Sequence, residues 1–428
     1  MSGKAVLRFG DQQIELPVIV GVEGNRAVDI SKLRDATGLT TYDPSLSNTA
    51  VCKSSITFID GQKGLLRYRG IPIEQFTEHP DFIETAWLLI FGRLPKKDEL
   101  DRFRRRLTQN ELLHEAMTHQ FQHIPANAPP MALLSAMLSN MACFYPQILA
   151  SGDDASFEEL AAQLISKVRT IAAFSYRRSL GLPFNYPDPE LRYCANFLHM
   201  MFSDPLRQHE ITPEVEDALN LLFILHADHE QNCSTLTTRV VGSSRANLFA
   251  SCAAAVCALW GPQHGGANVE VMEMLECIHN GGMSPEDCVK AAKDKTHPFP
   301  LFGFGHRVYQ SYDPRARIIK AACERILSRT NAKDPLLDIA RKLDDLTMAD
   351  RYFADHDLYP KIELYSGVLL RLLGIPTNMI TVCFAIGRLS GWIAQWKEQH
   401  DDPTGKILRP RQVYVGNTVQ DYVPIEKR

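Results

Sequence analysis

A long series of helical segments limits the folds open to this chain. After about Ile71, apolar residues recur three and four positions apart, which places them on one face of an α-helix. No repeat of fixed period accompanies this pattern, so a mainly α fold is expected and a solenoid is not. Proline and glycine clusters, for example in residues 125–130 and 182–189, separate the segments. The predicted helices are 81–91, 96–119, 131–145, 157–176, 213–226, 245–260, 268–279, 315–330, 335–352, 367–373 and 377–399.

The first fifty residues follow a different pattern. Residues 6–9 and 14–20 are short runs of β-forming residues, and turn residues separate them. A second pair of such runs, residues 56–59 and 65–69, flanks a turn that begins at Asp60 and Gly61. These runs predict a small β-rich N-terminal unit, residues 1–48, and a further hairpin behind it.

Composition and charge exclude several classes of protein. With 428 residues, the chain is too long for one ordinary core, so we expect two or more units. The formal net charge is −4, so the chain lacks the excess of basic residues that is typical of a nucleic-acid binder. The longest apolar stretch has 13 residues, whereas a membrane span needs about 20. Met1 to Gln12 has no apolar centre of a secretory signal, and the ten cysteines form no Cys-x-x-Cys pair. A cytoplasmic protein without membrane or nucleic-acid partners is therefore expected.

Three loops break the helical pattern, and each carries one titratable residue. His264 lies in residues 260–268, His306 in residues 302–309 and Glu363 in residues 358–367. Each loop bends at glycine or proline just before a predicted helix. One such residue alone is as readily explained as a helix cap or turn residue. Three together favour a catalytic site, because chemistry tends to lie on loops held by a rigid scaffold.

Other motif classes fit less well. The His-Gly-Gly sequence at His264 is similar to an esterase oxyanion loop, but the chain has no Gly-x-Ser-x-Gly elbow. The Gly-x-Gly at Gly303 lacks the third glycine of a dinucleotide loop, and no Walker loop is present. His226 and His229 are spaced for a metal, yet no third and fourth ligands are identifiable. We therefore favour a hydrogen-bonded histidine pair at a helix end and predict no metal site.

At these loops the chain resembles the citrate synthases, over nearly its whole length. The N-terminal β-rich unit is similar to that of the longer bacterial form, type II. The resemblance implies a mainly α, citrate synthase-like two-domain helical fold with that β-rich unit added. It places a large helical domain in 49–264, a small helical domain in 265–371, and a return to the large domain with a C-terminal arm in 372–428. It also implies a homodimer or a hexamer. The motifs that carry the resemblance are residues 55–61, 70–74, 225–232, 260–268, 303–315, 388–392 and 409–412.

The resemblance also implies a reaction, a Claisen-type condensation of acetyl-CoA with oxaloacetate, followed by hydrolysis of citryl-CoA to citrate and CoA. No cofactor is needed, because acetyl-CoA is a substrate. By similarity Glu363 is the base, His264 donates to the thioester oxygen, and His306 polarises the oxo group of oxaloacetate.

The substrate dianion needs cations that bind carboxylates in bidentate fashion, and arginine suits this best. The residues that match the family's oxaloacetate contacts are His229, Arg315, Arg388 and Arg409. The resemblance implies that the partner subunit supplies Arg409.

Glu363 departs from the family pattern, which has aspartate there. The acid is kept, but its reach grows by one methylene. The backbone compensates, or the enzyme is slower, or it serves a bulkier acyl group, as in a 2-methylcitrate synthase. A catalytically silent paralogue is disfavoured, because a scaffold has no need of His264, His306 and three arginines.

Two further departures concern charge. Gln310 stands where the family usually has a basic residue near the CoA phosphates, so acyl-CoA binds more weakly unless Arg307 or Lys320 substitutes. NADH-inhibited type II members carry basic residues at three positions that are neutral here, which predicts weak NADH inhibition or none. These three residues are Gln109, Asn110 and Gln163.

Overall fold

The computed structural model describes residues 3–146, 154–294, 296, 299–330 and 333–428. The protein is 54% helical, and the described residues form 17 α-helices and small sheets. The mainly α, citrate synthase-like fold class is thus confirmed. The chain divides into two compact units, one formed by Met1–Ser54 with Leu408–Arg428 and the other by Ser55–Ile407.

The terminal unit contains an antiparallel sheet of three strands in the order β1-β2-β3. The register of β1 on β2 runs from Lys4 opposite Pro17 to Phe9 opposite Gln12. Gly10 adopts a φ of 56° in the tight turn between them, a conformation that favours glycine. The predicted β-rich unit is therefore present. Its elements are β1 (Lys4–Phe9), β2 (Gln12–Val20), β3 (Arg26–Val28) and the short helix α1 (Leu33–Thr37).

The larger unit begins with a second antiparallel sheet and continues as helices. The predicted hairpin is formed by β4 (Thr57–Asp60) and β5 (Leu65–Tyr68), to which β6 (Ile71–Pro72) adds. The helices are α2 (Phe82–Phe91), α3 (Lys97–Gln109), α4 (Glu115–Gln120), α5 (Pro130–Phe144), α6 (Asp154–Ser179), α7 (Tyr193–Phe202), α8 (Pro213–His226), α9 (Cys233–Ser243), α10 (Leu248–Leu259), α11 (Ala267–His279), α12 (Pro285–Ala291), α13 (Pro314–Thr330), α14 (Pro335–Ala349), α15 (Arg351–Asp355), α16 (Glu363–Leu372) and α17 (Ile380–His400).

Helix α17 lies at the centre of this unit. Every residue from Ile380 to Trp396 is buried, and the helix packs against α2, α8, α9 and α10. A helix that is buried on all sides needs other elements packed around it. Residues on this helix are consequently held rigidly, including the buried Arg388 and Trp392.

The structure corrects several predicted boundaries. The predicted helix 96–119 is divided, because α3 ends at Gln109 and the next turn makes tertiary bonds instead. There the Lys167 ammonium donates to the carbonyl oxygens of Asn110 and Leu112, both at 2.8 Å. Helix α16 begins at Glu363 rather than at Gly367, and the helices α7, α9 and α12 were not predicted. No single helix among the described residues is long and apolar enough to cross a membrane, though α16 and the following helical segment qualify as a sharply bent pair.

Candidate active site

His264 is held by a tight turn between α10 and α11. The backbone N–H of His264 donates to the carbonyl oxygen of Gly261 at 3.0 Å, and that of Gly265 donates to Leu259 at 3.0 Å. A Cβ atom on Gly265 would lie 2.3 Å from the same Leu259 oxygen, so this turn requires glycine. The His-Gly-Gly sequence thus serves to present the imidazole.

The hydrogen bonds of the His264 ring fix its tautomer. Nε2 lies 3.3 Å from the backbone nitrogen of Ser234 and 2.9 Å from its Oγ, which in turn accepts from the indole N–H of Trp392 at 3.2 Å. A backbone N–H only donates, so Nε2 accepts, which requires the Ser234 hydroxyl to donate to Nε2 rather than to the Asn232 Oδ1 atom 2.8 Å away. The proton of the neutral ring then lies on Nδ1. Burial and then the charge of Arg388 lower the pKa of His264 to about 4. The ring is therefore a neutral donor at neutral pH.

His306 has the opposite tautomer. Its Nδ1 accepts from the backbone N–H groups of Val308 at 3.0 Å and Tyr309 at 3.2 Å. The proton of the neutral ring consequently lies on Nε2. Burial, with the nearby Arg315 charge, lowers the pKa of this imidazole to about 4. The site thus contains two neutral histidines, one protonated on Nδ1 and the other on Nε2.

The β4–β5 hairpin supports the His306 loop. The Gly61 carbonyl accepts from the backbone N–H of Gln310 at 2.9 Å and from the Ser311 hydroxyl at 3.0 Å. A Cβ atom on Gly61 would lie only 1.8 Å from the Val308 oxygen, so the two segments meet backbone to backbone. The sequence predicted the hairpin but gave no sign of this contact.

The loops of His306 and Glu363 are joined by backbone hydrogen bonds. The N–H of Gly305 donates to Tyr359 at 2.9 Å, and that of Lys361 donates to Gly303 at 3.0 Å. The Asp313 carboxylate accepts the Ile362 N–H at 3.2 Å. One connected loop assembly therefore sets the distance between the second histidine and the acid.

Glu363 is the first residue of α16, and its own backbone N–H acts on its carboxylate. Its Oε2 is buried without a hydrogen-bond partner among the described residues. Burial raises the pKa of this group, but the charges of Lys361 and Arg315 outweigh that effect and lower the pKa to about 2. Glu363 is therefore ionised at neutral pH with an acceptor oxygen free.

Two buried arginines flank these groups. Arg315 pairs with Asp313 through Nε at 3.0 Å and Nη2 at 2.8 Å. Arg388 donates from Nε to the His226 carbonyl at 2.6 Å and stacks on Phe384 at 4.9 Å. In the described part of the chain, no hydrogen bond engages the terminal nitrogens of Arg388. A buried cation with free donors is suited to binding an anion.

His229 adjoins His306, with ring centroids 5.3 Å apart. It is buried, and its Nε2 has no partner within the described residues, which leaves this atom available to a ligand. His226 does not bond to it, contrary to the predicted histidine pair, because the His226 Nδ1 lies 2.8 Å from the Leu222 carbonyl oxygen. Among the described residues, no group of three or more His, Cys, Asp or Glu could hold a metal.

Arg409 lies in the terminal unit and is exposed. Its role as a residue donated by a partner subunit stays a prediction. The other six predicted site residues lie in the larger unit. The Phe384 ring lies near both His264 and Arg388. Its centroid is 6.4 Å from the centroid of the His264 ring and 4.9 Å from the Arg388 guanidinium carbon.

Sequence reasoning missed the residues that orient the site. Ser234 belongs to none of the motifs identified in the sequence, and Trp392 and Lys361 lie within the 388–392 motif and the 358–367 loop without a role having been assigned to them. Asp313 stands two residues before Arg315 in an Asp-Pro-Arg sequence, and its acidic side chain could have indicated an ion pair with that arginine. These side chains show their role only through contacts between distant segments.

The fold and this site are those of a helical condensing enzyme, with one ionised carboxylate, two neutral imidazoles and two buried arginines. The sequence profile described as "Citrate synthase, C-terminal domain" matches residues 45–411. The chain is 47% identical over 424 residues to "Citrate synthase 1" of Mycobacterium tuberculosis, covering 99% of this chain and 98% of that protein.

Solved structures of citrate synthases are also similar to this chain. The citrate synthase of Pyrobaculum aerophilum has a TM-score of 0.81 at 32% identity, covering 96% of this chain and 97% of the other. A ternary complex of carboxymethyl coenzyme A and oxaloacetate with citrate synthase from Thermoplasma acidophilum has a TM-score of 0.80 at 30% identity, covering 90% and 98%.

The chain belongs to the citrate synthase family. Its activity is that of a transferase which condenses acetyl-CoA with oxaloacetate, the reaction by which acetyl groups enter the tricarboxylic acid cycle.

Proposed function

We propose that Glu363 removes a proton from the methyl group of acetyl-CoA while His264 donates from Nδ1 to the thioester oxygen. The observation that carries this proposal is that an ionised carboxylate with one buried, unpartnered oxygen occurs together with a neutral imidazole whose free nitrogen is the protonated one. The methyl group is a very weak acid. Its removal therefore needs a base and a donor to the developing enolate oxygen together.

His306 polarises the oxo group of oxaloacetate through its Nε2–H. Because two backbone N–H groups occupy Nδ1, this ring presents a donor in one direction only. Arg315, Arg388 and the free Nε2 of His229 bind the substrate carboxylates, and Arg409 of the partner subunit completes the set. The proposal is supported by the Thermoplasma acidophilum relative, described as binding oxaloacetate together with a coenzyme A derivative. Hydrolysis of citryl-CoA then releases citrate and CoA without a cofactor.

We assign the phosphates of coenzyme A to Arg307 in place of Gln310. Of the two candidate substitutes, Lys320 is already paired with the buried Asp344 at 2.8 Å. Arg307 is exposed on the same loop as His306. A guanidinium is well suited to phosphate because it donates in a planar fork.

The finer classification is also a proposal. The N-terminal sheet supports the type II form. No disulfide is present in the described part of the chain, which supports a cytoplasmic location. The large and small domains, 49–264 with 372–428 and 265–371, would close over the substrates. Exposed apolar side chains in the C-terminal segment, Val415 and Val419, support a homodimer or a hexamer.

Thiol release from acetyl-CoA in the presence of oxaloacetate tests the central assignment. Glu363→Gln keeps the size of the side chain but removes the base, so we expect kcat to fall by about 10²- to 10⁴-fold. Glu276→Gln, at an exposed position of α11, is the matched control and should retain full activity. Near-normal turnover by Glu363→Gln would refute the assignment. A preference of the unmodified protein for propionyl-CoA would favour a 2-methylcitrate-type specificity.

A further inference from the structure

Tyr309 is a buried tyrosine in the loop of His306. The residues around it, 307, 308 and 310, are exposed, whereas Tyr309 is only 1% exposed and therefore points into the protein. The backbone is held on both sides of it. The N–H of Tyr309 donates to His306 Nδ1 at 3.2 Å, and the N–H of Gln310 donates to the Gly61 carbonyl at 2.9 Å. These bonds fix the direction in which the side chain leaves the loop.

The Tyr309 ring packs against three groups of the candidate active site. Its centroid lies 5.0 Å from the centroid of the His306 ring, 5.6 Å from that of His229 and 5.6 Å from the Arg315 guanidinium carbon. The two histidine rings are themselves 5.3 Å apart, so the three rings form a compact triangle. The proposed function places oxaloacetate on all three of these neighbours. Tyr309 therefore lies directly beside the position proposed for this substrate.

The hydroxyl of Tyr309 is buried and has no hydrogen-bond partner among the described residues. Burial raises the pKa of this hydroxyl, so it keeps its proton at neutral pH and can donate. Such groups are uncommon, because a buried hydroxyl without a partner destabilises a fold. The Nε2 atom of the neighbouring His229 ring is likewise buried without a partner in the described part of the chain. Two such atoms on adjacent rings indicate a shared ligand. By contrast, the other tyrosines that are buried in the described residues each donate to a protein oxygen; they are Tyr68, Tyr193 and Tyr365.

We propose that Tyr309 is a further substrate-binding residue, whose hydroxyl donates to a carboxylate of oxaloacetate beside His229. This inference rests on the proposed function, which places oxaloacetate in this part of the site. There the charge of the dianion is met by Arg315, Arg388 and Arg409 of the partner subunit. Each carboxylate offers about four lone-pair positions, so a neutral donor adds to the arginines rather than replacing one. The hydroxyl gains in the complex the acceptor that it lacks in the free protein.

The test is the affinity for oxaloacetate of Tyr309→Phe, measured by isothermal titration calorimetry without acetyl-CoA. Phenylalanine keeps the ring and its packing, so the variant removes the hydroxyl alone. The Kd for oxaloacetate should rise by about 10- to 100-fold, the effect of losing a hydrogen bond to a charged group. In the thiol-release assay the KM for oxaloacetate should rise while kcat changes little, because the bond is made in the ground state and the transition state alike. The urea midpoint should stay in place or rise, since no bond within the protein is lost.

The matched control is Tyr193→Phe, which removes a buried hydroxyl that donates to the Ile165 carbonyl at 3.0 Å. It should lower the urea midpoint and leave the affinity for oxaloacetate unchanged. An unchanged affinity in Tyr309→Phe overturns the inference. A weaker affinity together with a lower midpoint also overturns it, because the hydroxyl would then serve the fold.

Arg388→Gln separates this inference from the proposed function on which it rests. If that variant binds oxaloacetate normally, the proposed position of the substrate is wrong. If it loses binding while Tyr309→Phe keeps full affinity, the role of Tyr309 alone is refuted.

Discussion

The Asp313 carboxylate joins the loops of His306 and Glu363 to Arg315, so removing it should strongly destabilise the protein. It is fully buried and accepts from the Arg315 side chain at 3.0 and 2.8 Å, from the Arg315 backbone at 3.0 Å and from the Ile362 backbone at 3.2 Å. Asp313→Ala leaves Arg315, only 3% exposed, without its counter-ion. Breaking a buried pair from one side costs about 3 to 5 kcal/mol. We expect that loss in the free energy of unfolding, with a smaller one for Asp313→Asn, which keeps one acceptor oxygen.

Urea unfolding followed by circular dichroism measures this loss as a lower midpoint at an unchanged slope. The activity assay should also show a higher KM for oxaloacetate, because Arg315 loses its orientation. The comparison variant is Asp101→Ala, which removes the acid of an exposed pair with Lys97 on α3. Exposed pairs of this kind contribute little, so its midpoint should stay in place. If Asp313→Ala were as stable as Asp101→Ala and bound oxaloacetate equally well, the argument for a shared anchor would fail.

Three other outcomes are expected. Glu363→Asp withdraws the proposed base by one methylene and should lower kcat on the order of a hundredfold, and an equal or faster kcat would contradict this. NADH should inhibit weakly or not at all, because side chains that could receive its pyrophosphate are already occupied: the Asn110 amide donates to Glu159, and the Lys167 ammonium donates to two backbone carbonyls. Inhibition at low micromolar NADH would show that this is wrong. Stability should fall as the pH is lowered from about 6.5 towards about 4, because in that window the unfolded chain protonates histidines that the fold keeps neutral, His264 and His306 among them; an unchanged urea midpoint across that window would refute it.

The helices could be predicted from sequence wherever periodicity was strong, because burying one apolar face is a local property of the pattern. Helix α17 was predicted from its apolar spacing, and the β4–β5 hairpin from two β-forming runs on either side of a turn. The break after Gln109 could not be, since it depends on Lys167, which lies in another helix and binds the carbonyls of the intervening turn. The sequence also missed that α16 starts at Glu363, where backbone bonds to the His306 loop fix the entry of the helix.

The sequence by itself determined the helical class and the family, and it predicted which residues act as acids and bases, because these depend on residue types at fixed spacings in one chain. Only the tertiary structure decided how they are prepared for chemistry. The tautomer of His264 follows from the backbone N–H of a residue thirty positions away in sequence. The tautomer of His306 follows from two backbone N–H groups of its own loop. The ionisation of Glu363 follows from the balance between burial and the charges of Lys361 and Arg315. Such effects depend on distances between segments, and folding alone sets those distances.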